Sequence, residues 1–232
     1  ANLTLIAKNQ IGYKNLIKLI SKSQIVGKTS GIPVIETEWL ADHSDGLIAL
    51  SGGFRGHIGK AVLDTNHDLF LKRIKYFQKI FKEDFILEIS RINRPQEDLY
   101  NDYILSKAGE LGLPVVASNE VRFIDKEDYE AHETRVCIQK GEVLSDARRT
   151  RSYFEDQYFL SPEEMYEKFK DIPEVLSNAY ELGKKCNLEI ETGIYVLPDF
   201  KTPLNKSAAD HLIEISKNNL KEKIKDLSDD DK

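Results

Sequence analysis

The sequence predicts an α/β fold built around a parallel sheet, and three observations predict it. Short apolar runs recur along the first half of the chain, separated by stretches whose apolar residues have helical spacing. Those runs are apolar on both sides, as strands are when crossover helices cover both faces of a parallel sheet. At 232 residues, the chain is long enough to bury a sizeable core and carry an appendage.

Leu3 to Ala7 reads as the first strand. A helix follows from about Ile11 to Ile25, with Leu16, Ile17, Leu19 and Ile20 as its apolar residues and lysines at 14, 18 and 22. Gly27 to Pro33 is a loop, and Glu36 to Asp42 a short helix carrying the single Trp, Trp39. Gly46 to Leu50 is the second strand, with helices over Ile58 to Leu63 and Asp68 to Phe81. Phe85 to Ile89 is the third strand. The helix Gln96 to Leu111 comes next, started by Pro95 and stopped by Gly112, and Leu113 to Ala117 is the fourth strand. Lys126 to Gln139 has helical spacing, whereas Glu142 to Tyr158 is polar and without period. Ser161-Pro162-Glu163-Glu164 is a helix start, with a capping Ser, Pro in the first turn and acids beside the helix dipole. Helices over about 162 to 170 and 173 to 185 follow, then a short strand at Leu188 to Ile190. Tyr195 to Phe200 reads as a linker, Ser207 to about Leu227 as a lysine-rich amphipathic helix, and Ser228 to Lys232 as a frayed tail.

Composition narrows the function classes. Apolar residues make up 41% and charged residues 31%, with both signs interspersed, which suits a soluble protein. No apolar run approaches the roughly 20 residues of a membrane span. A net charge of -6 gives the chain no bulk attraction for nucleic acid. Cys137 and Cys186 form no framework or CxxC pair, as expected of free thiols in a reducing cytoplasm. Met165 is the single Met and the opening residues are too short for a signal peptide, so the chain reads as a piece of a longer protein.

In parallel folds the functional groups gather on loops at the carboxyl ends of strands. Three loops qualify: Ser51 to His57, Ser90 to Pro95, and Ser118 to Phe123. The glycines from Gly52 to Gly59 match neither dinucleotide nor P-loop spacing, which favours tight turns over a phosphate cradle. His43, His57, His67, His132 and His211 make no HxH or DxH pair, and only His57 and His132 fall where a strand-end site could use them. Arg55, Arg91, Arg94 and Arg122 lie on the three loops. Salt bridges to Glu88, Glu120, Asp125 or Glu97 are favoured over an anion site, with a single-stranded DNA pocket as a further reading. Arg148, Arg149 and Arg151 read as a solvated basic loop.

Several segments, in order, resemble one family: LTLIAKNQIGYKNLIKLIS, GLIALSGG, LPVVASNEVRFIDKEDYEAHETRVCIQKG and SPEEMYEKFKDIPEVLSNAYELGKKCNLEIETGIYVLPDF. They are similar to the PHP (polymerase and histidinol phosphatase) domains of bacterial DNA polymerase III alpha subunits, of gammaproteobacterial type. The resemblance implies an incomplete (β/α)7 barrel over residues 1 to 198, lacking its first part, and a palm-proximal helical segment over 199 to 232. It implies a part of a DNA-directed DNA polymerase whose catalytic residues, with their magnesium, lie outside this chain.

Family members with an intact site hold metal ions, and some hydrolyse phosphoesters. Here the matching positions carry Asn2, Gly53, Ile92, Glu120 and Arg122 in place of metal ligands. The resemblance therefore implies no metal and no catalytic residue in the fragment, with Arg122 as a built-in cation among carboxylates. Residues expected around this vestigial pocket are Arg55, His57, Glu88, Arg91, Arg94, Asn119 and His132. The implied partner is the epsilon proofreading exonuclease subunit, with DNA and other replisome subunits engaged mainly through the rest of the alpha subunit and no membrane contact. The alternative is a metal-dependent phosphoesterase or 3′-5′ exonuclease of the PHP superfamily.

Overall fold

The computed structural model describes residues 1–29, 31–195, 200–203 and 206–225, and the chain divides into two compact units, Ala1–Glu189 and Ile190–Lys232. In the first unit, strand β1 (Thr4–Ala7) leads into helix α1 (Gln10–Ile25). Asn9 caps α1, its side-chain oxygen accepting from the Ile11 and Gly12 amides at 3.0 and 3.1 Å. A two-residue hairpin, β2 (Lys28–Thr29) with β3 (Ile32–Pro33), replaces the expected loop, and helix α2 (Thr37–Asp42) follows. Strand β4 (Leu47–Leu50) then precedes helices α3 (His57–Leu63) and α4 (His67–Phe81). Strand β5 (Phe85–Ser90), helix α5 (Glu97–Leu111) and strand β6 (Val115–Ser118) complete the sheet region.

The four longer strands form one sheet in the order β1-β4-β5-β6. β4, β5 and β6 run parallel, in the register Leu50↔Ile86 and Glu88↔Val116. β1 departs from the expected all-parallel sheet by pairing antiparallel with β4, Thr4 facing Leu50 and Ala7 facing Leu47. The apolar run that identifies β1 carries no information on direction, because an edge strand of either sense buries the same residues. The fold is mixed α/β.

Alternation along the strands divides the core between the two faces. Leu47, Ala49, Phe85, Leu87, Ile89, Val115 and Ala117 join the large cluster that includes Ile58, Phe70, Ile74, Phe77, Tyr100 and Ile104 of the helices. Ile48, Leu50, Ile86 and Val116 point the other way and are covered by Ala179, Leu182 and Cys186. Close backbone packing requires glycine at the α1–β4 crossing, where a Cβ on Gly12 would lie 1.9 Å from the Gly46 carbonyl oxygen.

Past the sheet, helix α6 (Tyr129–Lys140) is followed by a segment without helix or strand. Helices α7 (Pro162–Phe169) and α8 (Glu174–Lys184) come next. The helix start read at Ser161 is a full capping box. The Ser161 Oγ accepts from the Glu164 amide at 3.2 Å, while the Glu164 carboxylate accepts from the Ser161 amide at 2.8 Å. Leu188 to Ile190 form no strand. Two alternating apolar residues give too little to bury. In the second unit, helix α9 (Ala208–Lys225) matches the expected lysine-rich helix as far as the described residues extend. Most of the linker expected at Tyr195 to Phe200, and the tail from Ser228, lie outside them.

Candidate functional site

Because β4, β5 and β6 are parallel, their carboxyl ends open on one edge of the sheet. The reversed β1 sends its amino end to the same edge, so Asn2 and Thr4 meet the three loops there. Together these segments line a cavity of about 260 Å³. Its polar side chains come from Asn2, Thr4, Arg55, Glu88, Ser90, Ser118, Asn119, Glu120 and Arg122. Gly52 lets the edge close: at φ 79°, a Cβ there would stand 2.2 Å from the Asn2 carbonyl oxygen. The glycines after β4 therefore serve turn and close approach, as expected.

Two carboxylates sit in this cavity in different surroundings. Burial pushes the Glu88 carboxyl above the ordinary range, and the neighbouring Glu120 charge adds to the effect, while the Ser118 hydroxyl and the Gly52 amide work against it. Glu120 forms an ion pair with Arg94, Nη2 lying 2.8 Å from Oε2, and Arg55 approaches the same oxygen at 4.0 Å. The Arg94 side chain is 6% exposed and stacks its guanidinium 4.8 Å from the Phe54 ring centre and 5.6 Å from that of Phe154. Its N–H groups lack well-directed hydrogen bonds among the described residues, so the contact with Glu120 is one of charge more than of direction.

The loop that holds Arg94 is built from below by Glu97. This buried carboxylate accepts from the Ser90 hydroxyl at 3.0 Å and the Ile92 amide at 2.7 Å. Asn101 donates to the Ser90 carbonyl at 2.8 Å, and the Tyr100 hydroxyl to the Glu88 carbonyl at 2.8 Å. Asn93 and Gln96 adopt left-handed backbone, with φ 59° and 65°, on either side of Arg94 and Pro95. Sequence reasoning named Glu97 as a salt-bridge partner but missed this bracing role. Its signal was an acid in the first turn of a helix just after a Pro.

The structure separates several residues that the sequence grouped. Arg91 turns away from the cavity to a bidentate pair with Asp171, at 2.6 and 2.7 Å, and holds that carboxyl down at about 2. His57 faces a different groove, beside α4. His132 is buried in α6 against Phe123 and Tyr153, with ring centres 5.5 and 4.5 Å away. Arg149 is a correction to the solvated basic loop: its side chain is 5% exposed and pairs with the buried Glu133. Arg148 does lie in solvent, 90% exposed beside Asp146.

Arg122 is a second correction. It lines the cavity but is exposed, makes no ion pair among the described residues, and lies over the Tyr153 ring at 5.6 Å. The cation that neutralises the cavity's acid is Arg94. The family resemblance favoured Arg122 because it stands where intact members carry a ligand His, yet a side chain two residues from Glu120 along extended chain has no obligation to fold back onto it.

A metal of the kind held by family members with an intact site does not fit these residues. Among the described residues no three His, Cys, Asp or Glu side chains converge on one point. Ile92 is fully buried, Gly53 offers no side chain, and Arg94 occupies the charge-compensating place beside Glu120.

Residues 1–92 match the family model of the PHP domain. Over nearly its whole length, moreover, the chain is similar to DNA polymerase III subunit alpha. It is 44% identical over 228 residues to that protein of Vibrio cholerae, covering 98% of this chain and 20% of the relative. To the Pseudomonas aeruginosa protein it is 41% identical over 227 residues, 98% of this chain and 19% of the relative. To that of Escherichia coli K12 it is 41% identical over 230 residues, 99% of this chain and 20% of the relative. The chain thus spans about a fifth of the length of the curated relatives it matches.

Proposed function

We propose that this chain is the non-catalytic PHP scaffold of a replicative DNA polymerase alpha subunit, an incomplete (β/α)7 barrel that supports the polymerase and docks its epsilon proofreading exonuclease. The observation that carries this reading is the Arg94–Glu120 pair. A fixed guanidinium supplies the positive charge that a catalytic cation would otherwise bring to the strand-end carboxylates. Nucleotide transfer, its magnesium, and the contacts with DNA and other replisome subunits belong to the remainder of such a subunit, in the cytoplasm. Among the described residues no helix is long and apolar enough to cross a membrane.

A second reading has one observation in its favour. Glu88, its carboxyl raised by burial in the cavity, is the kind of group that serves as general acid or base in a phosphoesterase. Metal analysis of the purified chain separates the two. The scaffold reading expects less than stoichiometric zinc, manganese or iron and no phosphodiester cleavage; a tightly held metal with cleavage that chelation abolishes would establish the rival. Co-purification with the exonuclease subunit tests the docking role.

A further inference from the structure

Helix α4 carries a feature that the scaffold reading leaves unused. From Leu69 to Phe81 it holds four cations, Lys72, Arg73, Lys75 and Lys79, and no acid, in a chain of net charge -6. None of the four forms an ion pair among the described residues. They edge a groove of about 500 Å³ between α4, the start of α2 and the start of α3. Leu69, Tyr76 and Phe77 give it an apolar lining. Glu38 is the one acid lining it.

We propose that this groove docks an acidic peptide segment of a partner protein, seating an apolar side chain against Leu69, Tyr76 and Phe77 while carboxylates meet Lys72, Lys75 and Lys79. Charge complementarity selects the occupant. Four cations without ion-pair partners among the described residues repel one another, and a carboxylate-rich ligand relieves that repulsion. The apolar lining excludes a uniformly charged ligand and asks for an anchor. A nucleic-acid strand fits less well. Tyr76 has its hydroxyl committed to the Thr37 carbonyl at 3.0 Å, and no row of exposed rings offers successive bases a stacking platform. His57 supplies a local reporter: its half-buried ring is held below its ordinary pKa by burial first and by neighbouring cations including Arg73 and Lys60. A bound carboxylate raises it.

This inference stands apart from the scaffold reading, because it concerns α4 and not the strand-end cavity. The test is fluorescence anisotropy of the full chain with a labelled peptide of about twelve residues, rich in Asp and Glu around a central Leu-Phe pair. Saturable binding is expected, weakened about tenfold or more by Lys72→Glu with Lys75→Glu, by Leu-Phe→Ser-Ser in the peptide, and by raising salt from about 50 to about 300 mM. The titration midpoint of His57, followed by NMR, rises on binding. Both substituted lysines are exposed, and an unchanged melting temperature shows that the fold persists. Absence of saturable binding, or equal binding by the charge-reversed variant, would overturn the proposal. So would an oligothymidine of the same length that binds tighter than the peptide with the same sensitivity to the two substitutions. None of these outcomes touches the metal content on which the scaffold reading turns.

Discussion

Strand β5 and the segment 142–160 represent two ways of fixing a chain. In β5, Phe85, Leu87 and Ile89 are fully buried on one face and Ile86 nearly so on the other, and both backbone edges are paired. Segment 142–160 contains no helix or strand beyond one bridge, Phe123↔Tyr158. It is held by polar contacts to groups distant in sequence. Arg149 pairs with Glu133, and Arg55 donates to the Ser152 carbonyl at 2.8 Å. Gln157, fully buried, donates to the Glu120 carbonyl at 2.9 Å and accepts the Phe154 amide at 3.0 Å. Lys168 reaches Asp156 at 3.0 Å. Apolar burial tolerates imperfect direction, because it scales with area. Polar anchoring does not: removing one partner leaves the other buried and unsatisfied. The segment beside the cavity is therefore the more brittle of the two.

The strongest way to break that comparison is Arg149→Ala. It strands Glu133, whose side chain is 2% exposed, and is expected to cost about 3–5 kcal/mol in urea unfolding. Arg148→Ala, one residue away in solvent, should leave the stability essentially unchanged. Equal costs for the two would show that 142–160 is not anchored as described. Glu97→Ala comes next. It orphans the Ile92 amide and the Ser90 hydroxyl at once, for an expected loss of about 2–4 kcal/mol. A smaller loss than that of Arg148→Ala would mean that the loop holds its shape without this brace.

Arg94, buried behind Glu120, and Arg122, which lines the cavity, sharpen the comparison. Arg94→Ala removes the buried partner of Glu120 and leaves two neighbouring carboxylates with less compensation, for an expected cost of about 2–3 kcal/mol. Arg122→Ala removes an exposed cation over a ring and should cost less than about 1 kcal/mol. Melting temperatures of the two variants in one buffer decide the assignment. If Arg122→Ala melts lower than Arg94→Ala, the neutralising cation has been misidentified.

What the sequence made legible follows the same division. β4, β5 and β6, and the helices between them, announce themselves because burial on both faces makes the strands continuously apolar and one-sided burial gives the helices period 3.6. The Ser161 capping box is equally local, four residues completing their own bonds. The direction of β1 was not legible, since direction is a property of what pairs with it. Nor was the choice among four loop arginines. Arg94 is picked out by Phe54 and Phe154, which lie 40 positions before and 60 after it, and Arg91 by Asp171. The cavity's location was readable from strand order. Its internal pairing was not, because each pair closes between loops whose spacing in sequence says nothing of their distance in space.

The smallest expected effect, and the one most informative about chemistry, belongs to Glu88. Its carboxyl is raised by burial, so the folded chain keeps a proton that the unfolded chain has already released. In the pH window between the ordinary carboxylate value and the raised one, the folded state binds more protons, so stability falls as pH rises through it. Above that window the full penalty of a buried charge remains. Glu88→Gln never acquires the charge. The variant should therefore melt above the parent chain at about pH 7.5, and the gap should close near about pH 4, where both side chains are neutral. Paired thermal melts across that range give the answer. A parent chain that melts higher than the variant at neutral pH would mean that the charged form of Glu88 has a favourable partner. A cation bound in the cavity would be the first candidate, which would reopen the phosphoesterase reading.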